Sequence, residues 1–314
     1  MPEVVDGDPS LKGPIIAAMP MYNEEETIGT MVIKSAKYVD QVLCIDDGSS
    51  DASSLIAEKC GATVLRHRFN RGYGGALKTI FQYAIEVEAR ALVVLDSDGQ
   101  HDPGDIPKLL EPILSADEDM VIGSRFIEGG SSVDMPAYRK MGIKIITAAS
   151  NLSSDLNIQD TQSGFRAFGK NAIEKLRFDS EGMELSLEIL EDAKEKGLAI
   201  REVPTLIRYD VPKGSRFTAI SHGFSVFAYA LLSLSQKKPI LVLGIPGIAL
   251  MTTGLAMGFN AVNQVSDYTN VTVGPGLTSI WIGVLGLSLI AAGVILQSAR
   301  SLIRLLILKE FGVD

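Results

Sequence analysis

Between residues 239 and 297 the chain carries one charged side chain, Asp267. Two parts of that stretch, 239–259 (PILVLGIPGIALMTTGLAMGF) and 277–297 (LTSIWIGVLGLSLIAAGVILQ), are apolar and uncharged. Each has the roughly 20 residues a helix needs to cross the hydrocarbon core of a bilayer. A soluble fold can hide one such helix in its core; two in tandem call for lipid. Their glycines fit this reading, because helices in lipid pack through small residues. The expectation is a transmembrane hairpin.

The flanks orient it. Lys237 and Lys238 precede the first span, Arg300, Arg304 and Lys309 follow the second, and 260–276 has neither Lys nor Arg. The positive-inside rule then puts both ends in the cytoplasm. The outer loop carries a sequon, Asn270-Val271-Thr272. Before the spans, 216–238 contains Phe224, Phe227, Tyr229, Leu231, Leu232 and Leu234; after them, 298–314 includes SLIRLLILKEF. Both suit helices lying at the membrane interface. Residues 1–13 contain no apolar signal-peptide core, so the domain of residues 1–215 is expected on the cytoplasmic face of the cell membrane.

That domain reads as α/β. Strands are expected at 15–18, 41–45, 63–66, 91–95 and 119–123, with helices at 27–37, 53–60, 75–89 and 106–114. Alternation of this kind implies parallel βαβ units and a sheet covered on both faces. Ligands of such sheets sit beyond the carboxyl ends of the strands. The net charge of −9 and pI near 5.0 argue against nucleic acid as a partner, which needs clustered Lys and Arg. Cys44 and Cys60 read as core thiols, and His67, His101 and His222 are too scattered for a zinc cluster.

Four polar clusters fall at those strand ends. Pro20-Met21-Tyr22-Asn23-Glu24 can hold a base and ribose, or can open a helix with Asn23 as its cap. Asp46-Asp47-Gly48-Ser49-Ser50-Asp51 offers carboxylates on a tight turn. Asn70-Arg71-Gly72-Tyr73-Gly74-Gly75 leads into a helix whose start can approach a phosphate. It matches neither the dinucleotide nor the Walker pattern. Most telling is Leu92-Val93-Val94-Leu95-Asp96-Ser97-Asp98-Gly99-Gln100-His101, a buried strand that delivers two carboxylates spaced i and i+2. Such a pair points to one side of an extended chain. With diphosphate oxygens it makes a hard-cation site suited to Mg2+ or Mn2+.

These motifs, in this order, resemble the family 2 glycosyltransferases of the GT-A (Rossmann-like) fold. Gly123-Ser124-Arg125-Phe126 and Asp160-Thr161-Gln162-Ser163-Gly164-Phe165-Arg166 are similar to the dolichyl-phosphate mannose/glucose synthase branch. The resemblance covers about 14–215, and the hairpin resembles that of polyprenyl-phosphate glycosyltransferases. It implies Pro20, Tyr22, Glu24, Asp47, Arg71 and Gly74 around the nucleotide, with Asp46 supporting the turn. Asp96, Asp98 and Gln100 would form the metal site. Arg125 and Arg139 would face a lipid phosphate, and Asp160, Gln162 and Ser163 the sugar or acceptor. Lys213, Arg216 and His222 are the membrane-proximal candidates. Lys213 and Arg216 stand where many such synthases carry Arg-x-x-Gly-x-Ser-Lys, and with Gly214 aligned this chain has Val211 in place of that arginine; His222-Gly223 is a separate candidate, a device of this subgroup. Ile143 occupies a position where the analogy expects a phosphate-binding hydroxyl, with Thr147 one turn further on.

The activity so implied is inverting, metal-dependent transfer of one sugar from a nucleotide-sugar to polyprenyl or dolichyl phosphate, serving protein or cell-envelope glycosylation. A phosphate acceptor needs no side-chain base, because its second pKa is near 6. UDP-glucose or UDP-N-acetylglucosamine is favoured as donor; a GDP-mannose enzyme is the alternative, and a nucleotidyltransferase with a membrane tail is a weaker one. A processive synthase would carry Gln-x-x-Arg-Trp, but the only tryptophan is Trp281, inside the second span. A homo-oligomer is compatible with the sequence, which does not specify it.

Overall fold

The computed structural model describes residues 13–115, 118–154, 156–180, 185–210, 228, 231–232, 234–235, 237–263 and 273–311. The chain divides into two compact units, Met1–Ala230 and Leu231–Asp314.

The first unit runs β1 (Ile15–Met21), α1 (Ile28–Ser35), β2 (Gln41–Asp46), α2 (Ser53–Lys59), β3 (Thr63–Arg66), α3 (Gly72–Glu86), β4 (Ala91–Val94), α4 (Ile106–Ser115) and β5 (Met120–Ser124). It continues with β6 (Ser131–Val133), α5 (Ala137–Ser154), β7 (Arg166–Gly169), α6 (Lys170–Lys175), α7 (Leu185–Glu195), β8 (Ile200–Pro204) and β9 (Leu206–Arg208). Seven strands form one sheet in the order β3-β2-β1-β4-β7-β5-β8, and β6 pairs with β9 in a second. Alternate residues of the central strands feed two cores. Ile16, Ala18, Leu43, Ile45, Leu92 and Val94 pack with Leu77, Ile80 and Phe81 of α3. Ala17, Met19, Val42, Cys44 and Val93 pack with Ile28, Met31 and Val32 of α1 and Ile106 and Leu109 of α4. The sheet is thus covered on both faces, as its continuous apolar strands require. Cys44 lies in the second core, where burial pushes its thiol up to about 12.

The five expected strands and four expected helices all form, with edges moved by a few residues. One expectation fails: the sheet is mixed, because β7 runs antiparallel to both β4 and β5. The crossover through α4 leaves a one-strand gap between β4 and β5. The chain returns from α5 to the carboxyl edge of the sheet, and β7 fills the gap from that side. The backbone N–H of Gly123 at the end of β5 donates to Phe165 O just before β7, at 2.8 Å. This reversed entry brings 160–165 to the same edge as the end of β4.

In the second unit a π-turn, Ile240–Gly244, leads into α8 (Ile245–Asn263), and α9 spans Val273–Phe311. The apolar segments Ile240–Asn263 and Gly274–Leu302 have mean hydropathies of 2.0 and 2.3 and suffice in length to cross a membrane. The helices pack antiparallel through glycine. A methyl group on Gly254 would stand 2.6 Å from Gly283 N, and one on Gly247 would stand 2.7 Å from Gly286 O. Backbones this close leave no room for a side chain, the packing mode that lipid favours. Leu255, Phe259, Trp281 and Ile295 point outward and are exposed, the arrangement that a lipid-facing surface would require. Lys213, Arg216, His222, most of the 216–238 segment and the sequon at Asn270 lie outside the described residues.

Candidate active site

Strands β1, β2 and β4 are parallel neighbours, so their carboxyl ends share one edge. A cleft of about 250 Å3 opens there, lined by Pro20, Tyr22, Glu24, Asp47, Asn70, Gly72, Tyr73, Asp96 and Asp98, among others. Side chains from all four sequence clusters therefore meet in one place. Arg71 is exposed and Gly74 is buried in α3; both fall outside that lining.

The first two clusters are laced together. Asn23 adopts a left-handed conformation (φ 58°), which asparagine tolerates better than most residues. Its amide donates to Ser49 Oγ at 2.9 Å, and its Oδ1 accepts from Ser50 N at 2.8 Å. It does not cap a helix: α1 starts later, with Thr27 in the cap position. Asp46 is fully buried; its Oδ1 accepts from Ser49 N and its Oδ2 from Ser54 Oγ. Burial pushes that carboxyl up, but these hydrogen bonds and Arg66 outweigh it and hold the pKa below the usual value. Asp46 supports the turn. Asp47 braces the start of α3, accepting from Arg71 N at 2.9 Å and Gly72 N at 2.8 Å, and His67 Nδ1 lies 2.6 Å from its Oδ1. Gly72 takes φ 76° at this point, where a side chain would be strained.

Beyond β4 stand the paired carboxylates. Asp96 is 38% exposed toward the cleft. Its surroundings still desolvate it, and burial raises its pKa to about 6 despite Arg125 and Arg139. Burial and repulsion from Asp96 raise Asp98 as well, while its Oδ1 accepts from Gln100 N at 2.9 Å. The Gln100 carbonyl accepts from Arg208 N at 3.0 Å, tying the carboxylate loop to β9. His101 is buried against Phe165, ring centroids 5.1 Å apart. Its Nδ1 accepts from Asp96 N at 3.1 Å. Burial lowers its pKa to about 4, so it is a neutral prop for the carboxylate loop.

The cationic side is built on Asp160. Arg125 Nε and Nη2 donate to its two oxygens at 2.6 and 2.5 Å, and Nη1 donates to the Tyr209 hydroxyl. Burial alone would lower the arginine's pKa, but Asp160 and Tyr209 raise it. Arg139 stacks on the face of Tyr209, 4.7 Å from the ring centre. A cavity of about 480 Å3 borders Arg125, with Lys140, Lys144, Thr147, Asn151 and Gln159 also in its wall. Ile143 is buried, and Thr147 exchanges a 2.9 Å hydrogen bond with Thr161. The 160–166 segment is pinned by Arg166, whose guanidinium donates to the carbonyls of Thr161, Ser163 and Ser186. That pinning sets Gly164 against the paired carboxylates: a methyl group there would lie 3.2 Å from Asp96 Oδ2. Ser163 is buried, and its hydroxyl accepts from Phe165 N at 3.3 Å. Gln162 keeps a buried Nε2 that finds no hydrogen-bond partner.

Tyr209 and His101 are the residues the sequence reading passed over as site components. Tyr209 belongs to no sequence cluster and gains its place from the pairing of β6 with β9; His101 closes the Asp96–Asp98 cluster, but only its stacking on Phe165 and its bond to Asp96 N give it a role. Among the described residues no three His, Cys, Asp or Glu side chains gather as a metal cage. Two adjacent, desolvated carboxylates fit a hard divalent cation that takes its other oxygens from a diphosphate. Each anion raises the other's proton affinity, and bound positive charge relieves that repulsion.

Residues 17–177 match the family described as Glycosyl transferase family 2. The chain is 32% identical over 245 residues to a UDP-N-acetylglucosamine–dolichyl-phosphate N-acetylglucosaminyltransferase of Methanococcus voltae, spanning 71% of this chain and 97% of that protein. It is 31% identical over 200 residues to an undecaprenyl-phosphate mannosyltransferase of Micrococcus luteus, covering 60% of this chain and 82% of the relative. Glucosyl-3-phosphoglycerate synthase of Mycobacterium tuberculosis, solved with Mn2+, UDP-glucose and phosphoglyceric acid, superposes with a TM-score of 0.59 at 21% identity, over 71% of this chain and 80% of that one. The mixed sheet, the strand-end motifs and these matches agree: the chain belongs to glycosyl transferase family 2 and is a glycosyltransferase with the GT-A fold.

Proposed function

We propose that this glycosyltransferase moves one sugar from a nucleoside-diphosphate sugar to the phosphate of a polyprenyl or dolichyl phosphate, with inversion at the anomeric carbon. The observation that carries the reading is one edge of one sheet holding both charge types a phosphate acceptor requires. Asp96 and Asp98 line the cleft, and the Arg125–Asp160–Tyr209–Arg139 cluster is close enough to bias Asp96 electrostatically. Two polyanions must meet for this reaction, and opposed cationic groups stabilise them.

Asp96 and Asp98, with Gln100, would hold Mg2+ or Mn2+, which would supply positive charge against the nucleoside diphosphate leaving group. Tyr22 and Glu24 bound the nucleotide end of the cleft. Arg139 and Arg125 orient the acceptor phosphate, and Gln162 Nε2, otherwise without a partner, contacts the sugar or the acceptor. A phosphate oxygen, ionised at neutral pH, attacks the anomeric carbon as the bond to the diphosphate breaks. No proton has to be removed, consistent with a neutral, buried His101. Lys213, Arg216 and His222 are the candidates for a further cation at the acceptor phosphate.

A UDP-sugar is favoured, supported by the name of the Methanococcus voltae relative and by UDP in the solved neighbour. GDP-mannose is the second reading, because the Micrococcus luteus relative is named a mannosyltransferase. The two apolar segments anchor the enzyme as a hairpin with both ends cytoplasmic. Our division is 1–215 catalytic, 216–238 juxtamembrane, 239–297 hairpin and 298–314 tail. The test is purified protein with Mg2+ or Mn2+, polyprenyl phosphate and radiolabelled UDP-glucose, UDP-N-acetylglucosamine and GDP-mannose in separate reactions. Labelled lipid is expected with one donor and its loss in Asp98→Asn. No labelled lipid with any donor overturns the acceptor assignment, and unchanged transfer in Asp98→Asn overturns the metal site.

A further inference from the structure

His67 stands beside the cleft without a task in the reaction described above. It follows β3 directly, and its backbone N–H donates to Asp46 O at 2.8 Å, extending the ladder with β2. Its side chain is only 8% exposed, and both ring nitrogens are engaged. Nδ1 lies 2.6 Å from Asp47 Oδ1, and Nε2 lies 2.9 Å from the Thr79 hydroxyl on α3. A carboxylate only accepts, so Nδ1 carries the hydrogen of the first contact and donates it. Thr79 is itself held in place, its hydroxyl 3.1 Å from Gly75 O one turn back in the helix. The ring therefore ties the end of β2 to α3 through two polar contacts.

An ionised carboxylate offers about four lone-pair directions. At Asp47, Oδ1 accepts from Arg71 N and His67 Nδ1, and Oδ2 accepts from Gly72 N. One direction is left, on Oδ2, and Asp47 lines the cleft. We propose that His67 is a positioning residue for the donor nucleotide: anchored on Thr79, it fills the last place on Asp47 Oδ1 and so presents Oδ2 to an N–H of the base or an O–H of the ribose. The same contact steadies the wall of the cleft. Asn70, Gly72, Tyr73 and Ala76 line it, and Asp47 holds the amides of Arg71 and Gly72 at the start of α3. A carboxylate free to turn about its own axis would loosen that wall and the nucleotide together. The inference deepens the function proposed above and rests on its nucleotide end, where Tyr22 and Asp47 share the cleft; it adds a residue that sets donor affinity without touching the donor.

The experiment titrates the full chain in detergent with UDP and with GDP, each in the presence of Mn2+, by calorimetry. His67→Leu keeps apolar bulk and drops both nitrogens, whereas His67→Asn is smaller but keeps an N–H donor close to the place of Nδ1. His67→Leu should weaken binding of the nucleotide that the unaltered protein prefers by about tenfold, the factor for a lost hydrogen bond to a charged group. The KM for the matching nucleotide-sugar should rise by a similar factor, with kcat moved far less. His67→Asn should recover most of that loss. Thr79→Val, which spares the Asp47 contact but removes its anchor, should weaken binding by about threefold. A histidine that only fills space would give the opposite order, with Leu close to the unaltered protein and Asn worse, and that order overturns the proposal. So does a fall in kcat at unchanged donor KM. If His67→Leu does not fold, Thr79→Val decides, and an unchanged affinity there overturns the anchoring role. Nucleotide affinity is read without any acceptor, so it stands or falls separately from transfer to a lipid phosphate.

Discussion

Replacing Asp160 with Asn removes a charge and almost no volume, which makes it a clean probe of how the cationic side is held. Asp160 is fully buried, and the Arg125 side chain is 4% exposed. Both carboxylate oxygens receive guanidinium hydrogen bonds, and Oδ2 also accepts from Arg125 N at 3.0 Å. Its own amide donates to Glu202 at 2.9 Å, so the loop is fixed before the pair forms. Without the carboxylate charge the guanidinium stays in a desolvated position, bonded to the Tyr209 hydroxyl and lying over the Phe126 ring but with its ion pair lost. Removing one partner of such a pair costs about 3–5 kcal/mol. For a unit of this size that corresponds to a melting temperature lower by roughly 6–20 °C. The measurement is thermal unfolding followed by circular dichroism, in one detergent, at neutral pH and without donor. Arg125→Met with Asp160→Leu should cost less than Asp160→Asn alone, because no buried charge remains, while still abolishing transfer. A shift of only a degree or two in Asp160→Asn would mean that water reaches the pair, and the argument would fail.

Gly164→Ala should weaken Mn2+ binding in calorimetry by about tenfold while moving the melting temperature little, because its methyl would press on Asp96 Oδ2 at 3.2 Å and misplaced metal ligands typically cost about 10–100-fold. An unchanged affinity would separate Gly164 from the metal site. Metal affinity should fall as pH drops through about 6: Asp96 is raised to that value by burial, so it is charged above it and proton-bound below, where the proton competes with the cation. An affinity flat from pH 5 to 8 would contradict this. Gly254→Leu should disrupt the hairpin, since even a methyl would meet Gly283 N at 2.6 Å and overpacking costs about 1–3 kcal/mol or more; limited proteolysis in detergent should cut the variant faster at its helices and leave 13–210 equally resistant.

Much of this site was legible because its residues fall where strands end. Tyr22, Asp47 and Asp96 follow apolar runs whose length and β-branching mark them as buried strands, and parallel pairing then brings their ends together. What escaped depends on contacts between segments distant in sequence. β7 reads Arg166-Ala167-Phe168-Gly169, too short and too polar at its start to announce a central strand. Its arginine is tolerated in the core because three carbonyls take its hydrogens. Tyr209 sits in an unremarkable stretch and gains its place only when β9 pairs with β6 and its amide donates to Val133 O at 3.0 Å. His101 was visible as a residue but not as a prop, since nothing local says that its ring will lie beneath Asp96.

The reversed strand also decides how the protein can be taken apart. Since β7 separates β4 from β5, the segment carrying the carboxylates and the segment carrying Asp160 are interleaved. A fragment ending near 155 would leave β4 and β5 with bare edges facing each other across an empty slot, an invitation to pair with other chains. The donor-binding portion is therefore not a transplantable module, and chimaeras with a new acceptor portion must exchange β7 together with its two neighbours. Synthesis of the chain has the same constraint: the cleft cannot close until 166–169 has emerged, which favours slow, non-local assembly over early folding of the first βαβ units.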